Sequence, residues 1–221
     1  MKSSSCIIYT SIFFDDFRQM RLEFERNLKN YSNHYEIRFD LFKNRSLEEL
    51  EKILEYLNSI NIDYIFTFRS KEKNEIEKVY TRAMQYNPPI LDIDMDSFIF
   101  KNQTFKKSKL MISYHGENDD DIQIKLKNMW ELEPYIYKIA LIYTNYDKFI
   151  SDLQYVRLFK KEQKIKIAYI PMGTFNSFLR VISAYFVSDY SYASYTKTTA
   201  PGQISLEQFN TIFNMFTEKY E

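Results

Sequence analysis

Apolar residues in this chain recur with a period of two, then of about 3.6, then of two again, and the exchange repeats from one end to the other. A period of two marks a buried strand, and a period of 3.6 marks one face of a helix. Cys6–Ile12 reads as the first strand, followed by a helix with Phe17, Met20, Phe24 and Leu28 on one face. His34–Phe39 is the second strand, and Ser46-Leu-Glu-Glu49 is a capping box opening a helix that turns Leu47, Leu50, Leu54 and Leu57 inward. Asp63–Phe68 precedes a helix marked by Ile76, Val79, Tyr80 and Ala83, which Pro88-Pro89 stops before a strand at Ile90–Met95. After a short, poorly patterned segment come a strand at Lys109–Ser113, a helix carrying Ile122, Leu126 and Met129, and a strand around Lys138. A helix with Phe149, Leu153 and Val156, a strand at Ile165–Ile170, a helix at Phe175–Phe186 and a strand at Asp189–Ala193 follow. A second box, Ser205-Leu-Glu-Gln208, starts the last helix, with Phe209, Ile212, Phe213 and Phe216 on its apolar side.

Eight strand and helix units without a linker predict one domain, residues 1–221, built on parallel strands that close into a (β/α)8 TIM barrel. An open doubly wound sheet is the alternative, but its dinucleotide site needs a glycine-rich turn, and Gly116, Gly173 and Gly202 stand far apart. Composition narrows the function. Lys+Arg 30 against Asp+Glu 30 leaves no overall charge to hold nucleic acid or an anionic membrane. One cysteine, Cys6, excludes an internal disulfide framework, and two histidines, His34 and His115, exclude a histidine-rich metal site. No apolar run reaches about 18 residues. Met1 to Thr10 has no long apolar stretch with a small-residue cleavage site, so the expected location is cytoplasmic.

In a TIM barrel chemistry sits at the C-terminal ends of the strands, which makes the polar residues there the candidates. Lys138 lies within Glu133-Pro-Tyr-Ile-Tyr-Lys-Ile-Ala-Leu-Ile-Tyr143, an otherwise apolar strand. It reads either as a lysine snorkelling from a strand end or as a desolvated amine poised to attack a carbonyl carbon. Alternation in Tyr35-Glu-Ile-Arg-Phe-Asp40 sets Glu36, Arg38 and Asp40 on one side. Three charges are costly against the helix layer, which places them at the barrel mouth, as a site or as a network tying the barrel together. Arg69, ending Phe66-Thr-Phe-Arg69, is a carboxylate clamp or a structural partner for Glu36. His115, ending Ile112-Ser-Tyr-His115, is a structural histidine or a general acid/base one strand away from Lys138.

These runs, with Tyr137-Lys-Ile-Ala140 and Thr199-Ala-Pro-Gly-Gln-Ile204 about 20 residues after Arg180, in this order and spacing resemble type I 3-dehydroquinate dehydratase over nearly the whole chain from residue 6. The resemblance implies loss of water from 3-dehydroquinate, a step of the shikimate pathway, on a TIM barrel without metal or cofactor. It assigns Lys138 to an imine with the substrate ketone and His115 to acid/base transfer. Glu36, Arg38, Arg69, Thr199 and Gln203 would bind substrate, with Arg180 on its carboxylate. It also implies a small-molecule substrate and a homodimer. The chain departs from the family after Arg69, where Ser70-Lys-Glu-Lys-Asn-Glu75 lacks a glycine pair, and Glu72 is the acidic residue offered to orient the histidine. Two other readings stay open: a barrel that binds a related ligand with weakened turnover, and another Schiff-base lyase of the aldolase kind. The loops Ser70–Asn74 and 194–203 are expected to be mobile and to close over substrate.

Overall fold

A computed structural model of the chain describes residues 6–97, 108–117, 120–173 and 177–217. Eight strands, β1 (Ile7–Ile12), β2 (His34–Arg38), β3 (Asp63–Thr67), β4 (Ile90–Asp94), β5 (Lys109–Glu117), β6 (Ile136–Ile142), β7 (Lys166–Met172) and β8 (Tyr190–Ser194), form one sheet. Every ladder in it is parallel, and the order runs from β7 down to β1 and on to β8. The two ends come together without a regular ladder. Asp189 N donates to the Ile167 carbonyl, Ile167 N donates to the Asp189 carboxylate, and Tyr169 N donates to Ser188 Oγ, so side chains supply part of the closing seam. This is the expected TIM barrel, nearly closed.

The helices lie on its outside. A broken first helix consists of α1 (Phe17–Glu23), a π-turn (Phe24–Leu28) and the single turn α2 (Lys29–Tyr31). Then come α3 (Leu47–Ser59), α4 (Lys73–Gln85), α5 (Ile122–Trp130), α6 (Tyr146–Gln163), α7 (Ser177–Phe186) and α8 (Leu206–Thr217). β4 runs into a 3-10 turn at Met95–Ser97, and the poorly patterned segment after it, like the first residues expected of the α7 helix, lies outside the described residues. The box at Ser205 is reciprocal, with Gln208 N donating to Ser205 Oγ and Ser205 N to Gln208 Oε1, each at 3.2 Å. The box at Ser46 is not: Ser46 Oγ accepts from Glu49 N, but the buried Glu49 carboxylate reaches across to Phe17 N at the start of α1. One glutamate thereby joins the starts of two helices.

Two apolar layers divide the core. Residues such as Phe24, Leu54, Phe66, Val79, Leu126 and Val156 pack sheet against helices, while Tyr9, Ile65, Ile90, Met111 and Ile136 fill the barrel itself. Two residues further along those same five strands, the inward positions become Ser11, Thr67, Asp92, Ser113 and Lys138, all buried. The barrel is therefore apolar at its base and polar toward the C-terminal ends of its strands. On β6 and β7 the mouth stays apolar, with Ala140, Ile170 and Met172.

Candidate active site

A cavity of about 380 Å³ opens at that mouth, with Glu36, Arg38, Arg69, His115, Lys138, Arg180, Thr199 and Gln203 all on its wall. Lys138 Nζ stands 2.7 Å from Asp92 Oδ2, 3.4 Å from Glu36 Oε1 and 4.0 Å from the centre of the Tyr192 ring. The sequence suggested a desolvated amine; the structure surrounds Lys138 with two carboxylates and a π face. Arg69 donates to Asp92 Oδ1, to the Asp92 carbonyl and to Ser113 Oγ at 2.7 to 2.9 Å. Asp92 is thus the carboxylate partner of Arg69, rather than Glu36, which one of the two readings of this arginine names. Burial works to raise the Asp92 pKa, but Arg69 and Lys138 overcome it and hold this carboxyl far below the usual range. The same contest lowers Glu36, where burial is outweighed by Lys138, Arg38 and the 2.6 Å hydrogen bond from Ser11 Oγ.

Polar contacts continue from Glu36 into the loop after β8. Gln203 Nε2 donates to Ser11 Oγ, and its Oε1 accepts from the backbone and hydroxyl of Thr199. Arg38 pairs bidentately with Asp40 and reaches the Thr199 carbonyl. β2 ends at Arg38, so Asp40 leaves the strand alternation and sits in a 3-10 turn, where it closes back on the guanidinium. Arg180, in the first turn of α7, is 1% exposed and donates to the Pro201 carbonyl at 2.9 Å, while its buried Nε has no partner. No ion pair of Arg180 occurs among the described residues. Burial pushes its pKa down to about 10, with Glu36 pulling the other way, so it stays charged at neutral pH.

His115 lies within β5, which runs four residues beyond its expected end because it stays paired with β6 as far as Glu117. Its Nδ1 is 3.1 Å from Asp94 Oδ2, and the ring is open to the cavity. Desolvation by the cavity wall lowers its pKa below the usual 6.5 although the side chain is still 37% exposed, the Asp94 hydrogen bond raises it, and Arg69 and Lys138 lower it again, leaving the balance low. Glu72 is not part of this assembly. Ser70 Oγ accepts from Glu72 N and donates to the Glu75 carboxylate, which sets Glu72 as the exposed cap residue of α4, away from the cavity. Sequence reading missed Asp92, Asp94, Ser11 and Ser113. Alternation in Ile90-Leu-Asp-Ile-Asp94 gave the same signal of inward charge as Glu36 and Arg38.

A type I 3-dehydroquinase family model matches residues 8–220. The chain belongs to that family. As a type I 3-dehydroquinase it is a carbon–oxygen lyase. It is 37% identical over 210 residues to a 3-dehydroquinate dehydratase of Thermoplasma volcanium, covering 95% of this chain and 89% of that one. It is 31% identical over 207 residues to the namesake enzyme of Thermoplasma acidophilum, covering 94% and 89%. The fold matches the crystal structure of 3-dehydroquinate dehydratase from Geobacillus kaustophilus with a TM-score of 0.83 at 18% identity, over 98% of this chain and 93% of that one. No helix among the described residues is long and apolar enough to cross a membrane.

Proposed function

We propose that this type I 3-dehydroquinase removes water from 3-dehydroquinate to give 3-dehydroshikimate through an imine on Lys138, with His115 moving the protons and no cofactor. The observation that carries this is the meeting of a lysine amine, a histidine and an ion-unpaired, buried arginine in one cavity. Arg180, charged and short of partners, suits the substrate carboxylate. Glu36, Arg38, Gln203 and Thr199 line the polar side for the hydroxyl groups, and Ala140, Ile170 and Met172 face the ring carbons. The Lys138 ammonium lends a proton to His115, its freed amine adds to the ketone, and the proton returns to the departing hydroxyl as water, leaving a protonated imine. This electron sink acidifies the adjacent carbon, whose proton passes to neutral His115. Hydroxide leaves from the next carbon, taking a proton back from His115, and hydrolysis of the imine restores the lysine. The water gained and lost at the imine cancels, so the net change is one water eliminated.

Borohydride added during turnover should leave a stable adduct on the peptide containing Tyr137-Lys-Ile-Ala140. Lys138→Ala should give no adduct and almost no turnover, whereas His115→Ala should still trap some adduct while elimination fails. An adduct on another lysine, or full turnover by Lys138→Ala, would overturn the mechanism. Ligand binding without any adduct in the wild type would favour the binding-only barrel.

We also infer that the chain acts as one cytoplasmic domain and pairs with a second copy. Supporting the pairing, the only charged residue of α7 is the buried Arg180, and that of α8 is Glu207. Outward on these two helices stand Phe178, Phe186, Met215 and Phe216, each roughly half exposed or more. Charge depletion with aromatic and Met enrichment is the composition of an interface core. Tyr190 and Tyr192, between these helices in sequence, point into the barrel and take no part in that face. A sedimentation run giving only a 26.9 kDa species at micromolar concentration would remove the pairing.

A further inference from the structure

Strand β4 puts two carboxylates on its inward side, and each grips one of the two side chains on which the proposed chemistry depends. Asp92 holds Lys138, and one layer higher Asp94 holds His115. The Asp94 carboxylate is itself fixed: its Oδ1 accepts from Asp96 N at 3.0 Å in the turn that ends the strand, leaving Oδ2 aimed at the imidazole. Asp94 is held below the ordinary carboxylate range, since burial, which would raise it, is outweighed by the His115 hydrogen bond and by Arg69. An ionised carboxylate has no proton to give. The proton in the Asp94–His115 hydrogen bond therefore belongs to Nδ1, and Nε2 is the nitrogen left with a lone pair for a bound molecule.

We propose that Asp94 is the positioning residue of His115, fixing the Nδ1–H tautomer so that Nε2 alone exchanges protons with substrate, and that Glu72 has no part in this. The proposal rests on the dehydratase reading for its catalytic consequence but not for its structural one. The charged groups facing His115 among the described residues are Asp94 and Asp92 from β4, Arg69 beyond β3 and Lys138 from β6. Removing Asp94 takes away a contact that raises the histidine pKa and leaves burial and two cations that lower it. The titration midpoint of His115 must then fall.

The test uses nitrogen NMR on the ligand-free full chain carrying His34→Gln, so that His115 is the only histidine reporting. Neutral His115 should show a protonated Nδ1 and a bare Nε2. Asp94→Ala should lose that preference and move the midpoint to lower pH. Asp94→Asn, nearly isosteric, should lower the midpoint by charge loss alone and serves if Asp94→Ala does not fold. In turnover, both should reduce kcat about 10- to 100-fold, less than the roughly 10²- to 10⁴-fold that a general acid/base itself contributes. The acid limb of kcat/KM should shift down with the midpoint, borohydride trapping should persist, and Asp94→Glu should restore part of kcat. Glu72→Gln should leave tautomer, midpoint and kcat unchanged. An unchanged tautomer and midpoint in the Asp94 variants, or a loss of both in Glu72→Gln, overturns the proposal. If the wild type fails to dehydrate 3-dehydroquinate, the function reading falls while the nitrogen spectra still decide the role of Asp94.

Discussion

Arg180 is costly to keep where it is. Lowering a guanidinium from its usual 12.5 to about 10 corresponds to about 3 kcal/mol disfavouring the charged form in the fold. The Pro201 carbonyl contact does not offset that, which is the physical ground for proposing Arg180 as a binding residue. Arg180→Met should raise KM through loss of a charged contact worth about 1.5 to 3 kcal/mol, with a smaller effect on kcat. The same variant should melt no lower than the wild type, because it removes a buried, ion-unpaired cation. A drop in melting temperature together with unchanged KM would show Arg180 to be structural. At this scale the sequence was legible wherever strand alternation set a side chain's direction, as at Glu36, Arg38, Lys138 and His115. Glu72 depended on the path of a loop, which no periodicity encodes. Asp92 and Asp94 alternate in the same way within Ile90–Met95, although aspartate is depleted in strands.

Among the elements, the loop after β8 is tied to the barrel at more points than a free lid would be. Arg38 holds the Thr199 carbonyl, Arg180 holds the Pro201 carbonyl and Gln203 reaches Ser11, while Thr196–Thr198 stay exposed. Gly202 is what lets it lie so close. Its φ of +71° is left-handed, and a Cβ there would fall 2.2 Å from the Gly173 carbonyl oxygen at the β7 end. Gly202→Ala must push this loop away from β7, shifting the Pro201 carbonyl that Arg180 relies on. The expected result is a loss of about 1 to 3 kcal/mol of stability and a raised KM. Unchanged values of both would mean that the loop adapts freely. Helix starts and strand cores followed from capping and periodicity. The length of β5 did not, because Tyr114-His-Gly-Glu117 breaks apolar alternation and is kept in the sheet by pairing with β6.

For the whole molecule, eight repeats of strand and helix were enough to predict the barrel, but the closing seam relies on Ser188 and Asp189 side chains, for which no periodicity exists. The interior is also unusually rich in tyrosine, and this sets the pH range of the fold. Burial raises the pKa of Tyr9, Tyr35, Tyr64, Tyr80, Tyr143, Tyr169 and Tyr192 above the ordinary 10. For a group raised in the fold, the stabilisation is complete below its unfolded pKa and is lost as pH rises beyond it, since only the unfolded chain then ionises. Each such tyrosine removes about 1.4 kcal/mol per pH unit above 10, so seven remove roughly 10 kcal/mol per unit. A fold stabilised by about 5 to 15 kcal/mol does not survive that beyond one or two units. On the acid side, lowered His115, Glu36, Asp92 and Asp94 give the opposite sign: stability declines as pH falls through 6.5 and more steeply below the carboxylate range. Alkaline unfolding followed by circular dichroism should therefore be steep and complete within one to two units above pH 10, with most tyrosinate absorbance appearing in the same transition. Tyrosinate absorbance from these buried rings that develops fully while the dichroism stays native would show that they ionise inside the fold and that burial does not hold them neutral.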